Sequence, residues 1–364
     1  MNNPIQNQYL PDAVSPPGNT LLEILEDKGM SQAELAERTG RPKKTINEII
    51  KGKVAITSET AIQFERVLGT PASFWNNREQ IYRDWLARQE ERKLLMEYIP
   101  WMKKFPLKAM IKMGWIAEYS DPINQLQELL QYLGVASPVQ WQTVFQGTKW
   151  RQSTTFAPDP SAVSAWLRQG EIQSSKIQCA PYNEARFRQA LNQIRKLTTQ
   201  PPESFSNQMV RLCAQAGVTV VFVPEIPGMH TYGATRWLTP TKAMVMLSLR
   251  YKTDDHLWFT FFHEASHILL HGKREVFLEN DEEANKEVLT KEKEADRFAS
   301  DFLIPPEDFR QFHPRGAHFS HEDIIEFANK LGIAPGIIVG RLQHDSIVPP
   351  QNLNRLKRHF QWTK

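Results

Sequence analysis

The sequence is poor in cysteine, in long apolar runs and in net charge, and each shortage excludes a class of protein. Only Cys179 and Cys213 occur in 364 residues, too few for a disulfide framework or a zinc–thiolate site; we interpret both as free core thiols in a reducing cytoplasm. The longest apolar stretches, residues 258–262 and 268–270, are far too short to span a membrane. A net charge of +3 does not indicate nucleic-acid binding, so any basic surface must be local.

The amino terminus lacks a basic-then-apolar signal, and we therefore expect a cytoplasmic protein without a membrane partner. The chain is too long for one compact core, so two or three domains are expected. Residues 1–19 form a polar tail rich in Asn, Gln and Pro. Helical patterns with glycine breaks fill 20–95, apolar pairs at helical spacing dominate 96–200, and β-branched runs first occur in 201–364.

Residues 20–69 have the pattern of four short helices separated by glycine. Ser31 and Glu34 form a capping-box pattern that begins the second helix, and Gly40 ends it. Pro42 suits the first turn of the third helix. Two short helices joined through a glycine are typical of a helix-turn-helix.

Positive charge is concentrated on and around the third helix. Five cations accompany a single acid, Glu48, in this segment: Arg41, Lys43, Lys44, Lys51 and Lys53. Such cations supply affinity for phosphates, while Thr45 and Asn47 could reach base edges in a major groove. The alternative, a solvated basic helix in a packing domain, is left open by spacing alone.

A second pattern, His263-Glu264-Ala265-Ser266-His267, has the form H-E-x-x-H. On a helix, residues four apart project to the same side, so His263 and His267 can hold one metal ion. Glu264 could then act as general base toward a water whose pKa a zinc ion lowers to about 7. The surrounding helix is apolar nearly all round, which predicts burial, whereas a chance motif would leave two partly exposed histidines. A strand over 243–249 precedes it, as suits a zincin.

The third metal ligand must come from elsewhere in the chain. His271 lies one turn beyond the motif, but three ligands from successive turns would span about 12 Å, too far for one zinc with bonds near 2 Å. The segment 292–303 has an apolar helical face. Placed at 100° per residue, Glu292 is expected opposite that face, while Glu294 and Asp296 flank it. Periodicity therefore leaves Glu294 and Asp296 open.

Two further polar residues, His230 and Tyr232, lie between the predicted strands. They could stabilise a tetrahedral oxyanion, but a polar turn before a strand explains them better. We therefore assign a catalytic role to Glu264 alone.

The segment LLEILEDKGMSQAELAERTGRPKKTINEIIKGKVAITSETAIQFERVLGTPASFW resembles the XRE-type helix-turn-helix of HigA-like antitoxins and phage-type repressors without a gap. The resemblance implies that Gln32 anchors to a phosphate and that Lys43, Lys44, Thr45 and Asn47 face the groove. It also implies a homodimer on palindromic double-stranded operator DNA, and hence a location at the nucleoid.

The motif HEASHILLHG followed by EKEADRFASDFLIP resembles the ImmA/IrrE family of zinc metallopeptidases. The likeness runs from roughly residue 216 through Pro305-Pro306 and weakens toward the end of the chain. The resemblance implies that the glutamate directly before the alanine of the second motif, Glu294, is the third ligand. It further implies Zn²⁺ as cofactor and a gluzincin-like endopeptidase of conditional activity.

Together the resemblances imply a transcriptional regulator that cleaves a repressor, itself or a partner, in a stress, phage or mobile-element response. One alternative is a HigA-like antitoxin that represses its own operon and neutralises a toxin partner, with a regulatory or silent peptidase domain. Another is a general peptidase whose helix-turn-helix makes protein contacts. The expected fold is α+β, mostly α: an all-α DNA-binding domain (20–95), a helical connector or dimerisation section (96–200) and a zincin-like α+β metallopeptidase domain (201–364).

Overall fold

The computed structural model describes residues 13–146, 159–229, 231–271, 282–312 and 319–362. The chain forms two units, Met1–Tyr98 and Ile99–Lys364. Helices dominate both, and in the described residues three strands form one sheet in the second unit, which confirms the mostly α, α+β fold. No helix within these ranges is both long enough and apolar enough to cross a bilayer.

The described part of the first unit consists of helices that pack around one core. These are α1 (Pro17–Asp27), α2 (Gln32–Thr39), α3 (Lys43–Ile50), α4 (Ser58–Leu68) and the first part of α5 (Ala72–Met102). The Ser31 hydroxyl accepts a hydrogen bond from the backbone amide of Glu34 at 3.1 Å and so caps the start of α2. Gly40 ends this helix in the left-handed conformation, with φ +69°. Phe64 and Trp75 meet edge to face in the core, with ring centroids 5.4 Å apart. Ser31 and Gly40 therefore delimit α2 as predicted, while the Glu34 carboxylate of the predicted capping box contacts Arg38 Nη2 at 2.6 Å.

The second unit contains the remaining α-helices of the described residues. They are α6 (Leu107–Lys112), α7 (Pro122–Leu133), α8 (Pro138–Trp141), α9 (Pro160–Ser175), α10 (Glu184–Lys196), α11 (Pro202–Gln215), α12 (Asp254–Leu270), α13 (Glu282–Leu303), α14 (Pro306–Phe312), α15 (His321–Leu331) and α16 (Pro335–His344). Helices α9 and α10 come from the section expected to be a connector. The Trp166 indole of α9 donates to the Val223 carbonyl at 3.0 Å, and Phe187 of α10 is fully buried in the core of this unit.

The sheet has the strand order β1–β3–β2, with β1 (Val218–Phe222), β2 (Gly233–Thr239) and β3 (Lys242–Leu247). Strands β1 and β3 are parallel, and β2 runs antiparallel to β3 with Gly233 opposite Leu247. The β-branched and apolar runs correctly predict β1 and β3. The partly exposed edge strand β2 was not predicted, because its mixed residues give no clear alternation.

Helix α12 carries the H-E-x-x-H motif and is buried on nearly all sides, as its composition predicts. Its first two residues are tied to the end of the chain by ion pairs. Arg358 Nε lies 3.2 Å from Asp254 Oδ2, and Lys357 Nζ lies 2.6 Å from Asp255 Oδ2. Burial raises the pKa of Asp254, and the Arg358 charge opposes that rise. The two pairs fix the start of the helix that positions the motif.

Candidate metal centre

His263 and His267 lie one turn apart on α12 and direct their Nε2 atoms toward each other, 3.1 Å apart. The His263 side chain is fully buried, and the His267 side chain is partly buried. The i, i+4 spacing produces this convergence, because residues one turn apart share a helix face. The predicted pair of metal-binding histidines is thus brought together.

Glu292 of α13 brings a carboxylate to the same point. Its Oε2 lies 3.3 Å from His263 Nε2, and its Oε1 lies 3.5 Å from His267 Nε2. Among the residues that the structure describes, His263, His267 and Glu292 are the group of side chains that could hold a metal ion.

The spacing of these atoms fits zinc. A tetrahedral zinc ion with bonds of about 2.0–2.1 Å holds its ligand atoms about 3.3 Å apart. The two imidazole nitrogens lie 3.1 Å apart, and the nearest Glu292 oxygen to each, Oε2 for His263 and Oε1 for His267, lies at 3.3 and 3.5 Å, around that value. Two imidazoles and one carboxylate are also a donor set that zinc accepts, and three protein ligands leave the fourth position for substrate or water.

Glu294 does not join this group. Its Oε2 lies 3.2 Å from His271 Nε2, and its side chain is 56% exposed. Its assignment as third ligand therefore stays a prediction, with Glu292 as the residue beside both histidines. The expectation that Glu292 points away from the buried face was wrong. Seven residues, nearly two helical turns, separate Glu292 from the fully buried Ala299, so both lie on one face.

Each imidazole is also held from behind, at the ring nitrogen that faces away from the metal position. His263 Nδ1 lies 2.9 Å from Asp296 Oδ1, and His267 Nδ1 lies 2.9 Å from His271 Nδ1. Periodicity left Asp296 open as a metal ligand; the structure places it behind the candidate ligand His263. Such partners fix the ring orientation and keep Nε2 as the coordinating atom.

The predicted base, Glu264, is buried against the edge strand β2. Thr235 Oγ1 lies 2.7 Å from Glu264 Oε2 and 2.9 Å from the Glu264 carbonyl oxygen. Gly233 leaves room for this carboxylate, since a Cβ there would lie only 2.8 Å from Glu264 Cγ and 2.7 Å from Thr260 Cγ2. Sequence reasoning missed Thr235 and Gly233, because only the pairing of β2 shows that they meet α12.

A cavity of about 270 Å³ lies beside the site, one helical turn before His263. Residues of α12, α13 and α16 form most of its wall, among them Phe259, Leu303 and Ile337. Tyr232 and Tyr251, which lie outside these helices, also line it. Asp296, which holds His263, also lines it. Tyr232 stacks on Tyr251 with hydroxyls 3.0 Å apart, while His230 lies outside the described residues.

In the first unit, the predicted DNA-facing residues gather near the start of α3. Lys43 and Lys44 are exposed, and Thr45 and Asn47 are partly buried. Asn47 Nδ2 donates to Gln32 Oε1 at 3.4 Å, which links α3 to the first residue of α2. The structure thus places all five residues on the two helices of the turn.

Arg41 differs from the other cations of this segment. Its Nε donates to Gln63 Oε1 at 2.6 Å, and its guanidinium lies 3.4 Å from Glu59. These contacts tie the start of α3 to α4, so Arg41 has a structural role. Lys44 forms only a loose surface pair with Glu48 at 3.9 Å, and such a pair contributes little to stability.

Comparison with known families supports both resemblances. Residues 21–75 match the family model of the helix-turn-helix, and residues 213–343 match a peptidase family described as the IrrE N-terminal-like domain. The chain is a fusion of these two domains. The IrrE-like domain contains α12, α13 and the three clustered side chains, so the candidate metal centre lies within the peptidase match. No curated protein matches the chain.

Three of the solved structures that resemble the chain each cover less than a quarter of it. A protein from Nostoc punctiforme described as an antidote protein of a plasmid maintenance system is 31% identical and covers 23% of this chain and 91% of its own, with a TM-score of 0.22. A HigA-family addiction module antidote protein from Coxiella burnetii is 27% identical and covers 23% of this chain and 92% of its own, also with a TM-score of 0.22. The antitoxin GraA is 24% identical and covers 24% of this chain and 95% of its own, with a TM-score of 0.23.

Proposed function

We propose that this chain is a DNA-binding transcriptional regulator whose IrrE-like domain is a zinc-dependent endopeptidase that cleaves a repressor, either this chain or a partner. The convergence of His263, His267 and Glu292 at zinc-ligand spacing carries the proposal. Glu264 follows His263 directly on the same helix, and its carboxylate contacts Thr235. A peptidase in one chain with a helix-turn-helix would allow cleavage to end repression. Stress, phage infection or a mobile element would provide the signal.

The residues of the site have separate tasks in peptide hydrolysis. Zinc bound there would supply Lewis acidity toward water and the peptide carbonyl. Glu264 takes a proton from the attacking water and delivers it to the leaving nitrogen. The Thr235 hydroxyl, 2.7 Å from Glu264 Oε2, orients this carboxylate, while Asp296 holds the His263 ring.

The surroundings of the site favour an extended polypeptide as substrate. Strand β2 is at the edge of the sheet, and its Thr235 contacts Glu264. An extended peptide can pair with such an edge strand. The cavity that Phe259 and Asp296 line has mostly apolar groups in its wall. We therefore propose that this cavity receives an apolar side chain of the substrate.

For the DNA-binding domain, we expect the Lys43→Ala, Lys44→Ala double variant to bind every duplex more weakly. If both lysines contact phosphates, the slope of log K against log salt falls by about 2 in magnitude. Titration of duplex DNA from the region upstream of the gene that encodes this chain, at several salt concentrations, measures this slope. Lys28→Ala, an exposed lysine at the end of α1, is the matched control. Binding by the double variant that equals wild type at every salt concentration would refute the phosphate contacts.

The coupling of the two domains is tested in cells that carry an operator reporter. After DNA damage or phage challenge, we expect derepression and a cleaved repressor with wild type, and neither with Glu264→Gln. The reason is that the variant keeps the metal ligands and the DNA-binding domain and lacks only the base. Equal derepression in both strains would show that the peptidase activity plays no part in regulation. Equal derepression that requires a co-expressed toxin would favour the antitoxin alternative.

A further inference from the structure

A line of polar contacts runs from His267 to the surface of α13. Helix α12 ends at Leu270, and His271 adopts an extended conformation with φ −111° and ψ 126°. His271 Nδ1 lies 2.9 Å from His267 Nδ1, and its Nε2 lies 3.2 Å from Glu294 Oε2. The His271 side chain is 6% exposed, whereas that of Glu294 is 56% exposed. The line therefore connects a candidate metal ligand with a carboxylate at the surface.

The chemistry of imidazole sets the direction of each hydrogen bond in this line. A neutral His267 that coordinates through Nε2 carries its proton on Nδ1. That N–H donates to Nδ1 of His271, so the neutral His271 ring must carry its own proton on Nε2. The second N–H then donates to the Glu294 carboxylate. With both rings neutral and Glu294 ionised, both hydrogen bonds are made only when His267 presents Nε2 for coordination.

We propose that His271 and Glu294 are positioning residues that hold His267 in the orientation and tautomer that bind the metal ion. The inference rests on the proposed zinc site, and it places Glu294 behind a ligand instead of on the metal. Both histidines then connect to a carboxylate of α13: His263 directly to Asp296, and His267 through His271 to Glu294. A carboxylate in this position makes the imidazole a stronger ligand.

The test measures the zinc affinity of the full-length protein by competition with a chromophoric chelator. Glu294→Ala and His271→Ala are each expected to weaken zinc binding by about 10–100-fold, the usual effect of losing such a partner, with one zinc still bound per chain. The double variant should bind no more weakly than the weaker single variant, because both act through one line of contacts. Glu294→Gln keeps an acceptor oxygen and should restore most of the affinity. Glu322→Ala, an exposed glutamate on α15, is the control.

Three outcomes would overturn the inference. Unchanged affinity in Glu294→Ala excludes a positioning role, and this variant leaves a buried core untouched because Glu294 is exposed. Complete loss of zinc from Glu294→Ala, with zinc retained by Glu292→Ala, makes Glu294 a ligand and leaves the proposed function standing. Absence of zinc from the wild-type protein removes both the inference and the proposed function.

Discussion

Replacement of Glu292 by alanine is expected to remove the bound zinc ion. The substitution leaves only His263 and His267 of the three converging side chains, and a zinc site needs three protein ligands to keep its tetrahedral geometry with one open position. The affinity should therefore fall by more than the roughly 10–100-fold that follows loss of a partner behind a ligand. Zinc content per chain after dialysis, with chelator competition, measures the effect.

Glu294→Ala is the matched control, because it makes the same change in charge and size two residues away on α13. It should retain one zinc per chain at reduced affinity. The opposite pattern, with full stoichiometry in Glu292→Ala and none in Glu294→Ala, would return the third ligand to Glu294. Asp296→Ala, which removes the partner of His263 Nδ1, is expected to lower affinity without abolishing binding.

Replacement of Glu264 by glutamine is expected to slow peptide hydrolysis by about 10²–10⁴-fold, the usual contribution of a general base. The amide cannot accept the proton of the attacking water, yet it has nearly the same shape and can still accept the Thr235 hydrogen bond. Zinc content should be unchanged, because Glu264 is not among the converging ligands. Single-turnover cleavage of the repressor identified in cells, with zinc-loaded enzyme, gives the rate.

A charge-matched control for this experiment is Asp301→Asn on α13. Asp301 pairs with Arg297 at 3.5 Å and lies outside the cluster, so its variant should cleave at the wild-type rate. Equal rates for wild type and Glu264→Gln would show that another group acts as the base. A loss of zinc in Glu264→Gln would instead show that Glu264 supports metal binding.

The elements predicted well from sequence are those set by local spacing. The capping residue Ser31 and the glycine Gly40 delimit α2 wherever the rest of the chain lies. His263 and His267 converge because one helical turn separates them. The runs of β-branched and apolar residues likewise identify β1 and β3.

Glu292 shows where reasoning from an apolar face fails. Ala299 and Leu303 are buried on the face of α13 that also contains Glu292 and Asp296. Near the middle of the helix, this face carries the acids Glu292 and Asp296 beside the buried Ala295, and these acids meet His263 of α12. A functional site replaces apolar residues on a buried face, so a face defined by apolar residues alone leaves out the ligands.

The roles of β2 and of the section 96–200 depend on contacts between distant parts of the chain. Thr235 reaches Glu264 across 29 positions, and Trp166 reaches Val223 across 57. Neither pair has a local signature. Helix α5 runs from Ala72 to Met102 and so includes residue 95, the expected end of the DNA-binding domain. A continuous helix gives no break in composition, so the sequence does not mark a boundary there.

Anomalous diffraction at the zinc edge, from crystals of the zinc-loaded wild-type protein, tests the metal centre most directly. We expect one strong peak per chain, at about 2.0–2.2 Å from His263 Nε2, His267 Nε2 and a Glu292 carboxylate oxygen. His271 and Glu294 should lie outside bonding distance of this peak. A peak bonded to Glu294, or no peak between the two imidazoles, would contradict the account.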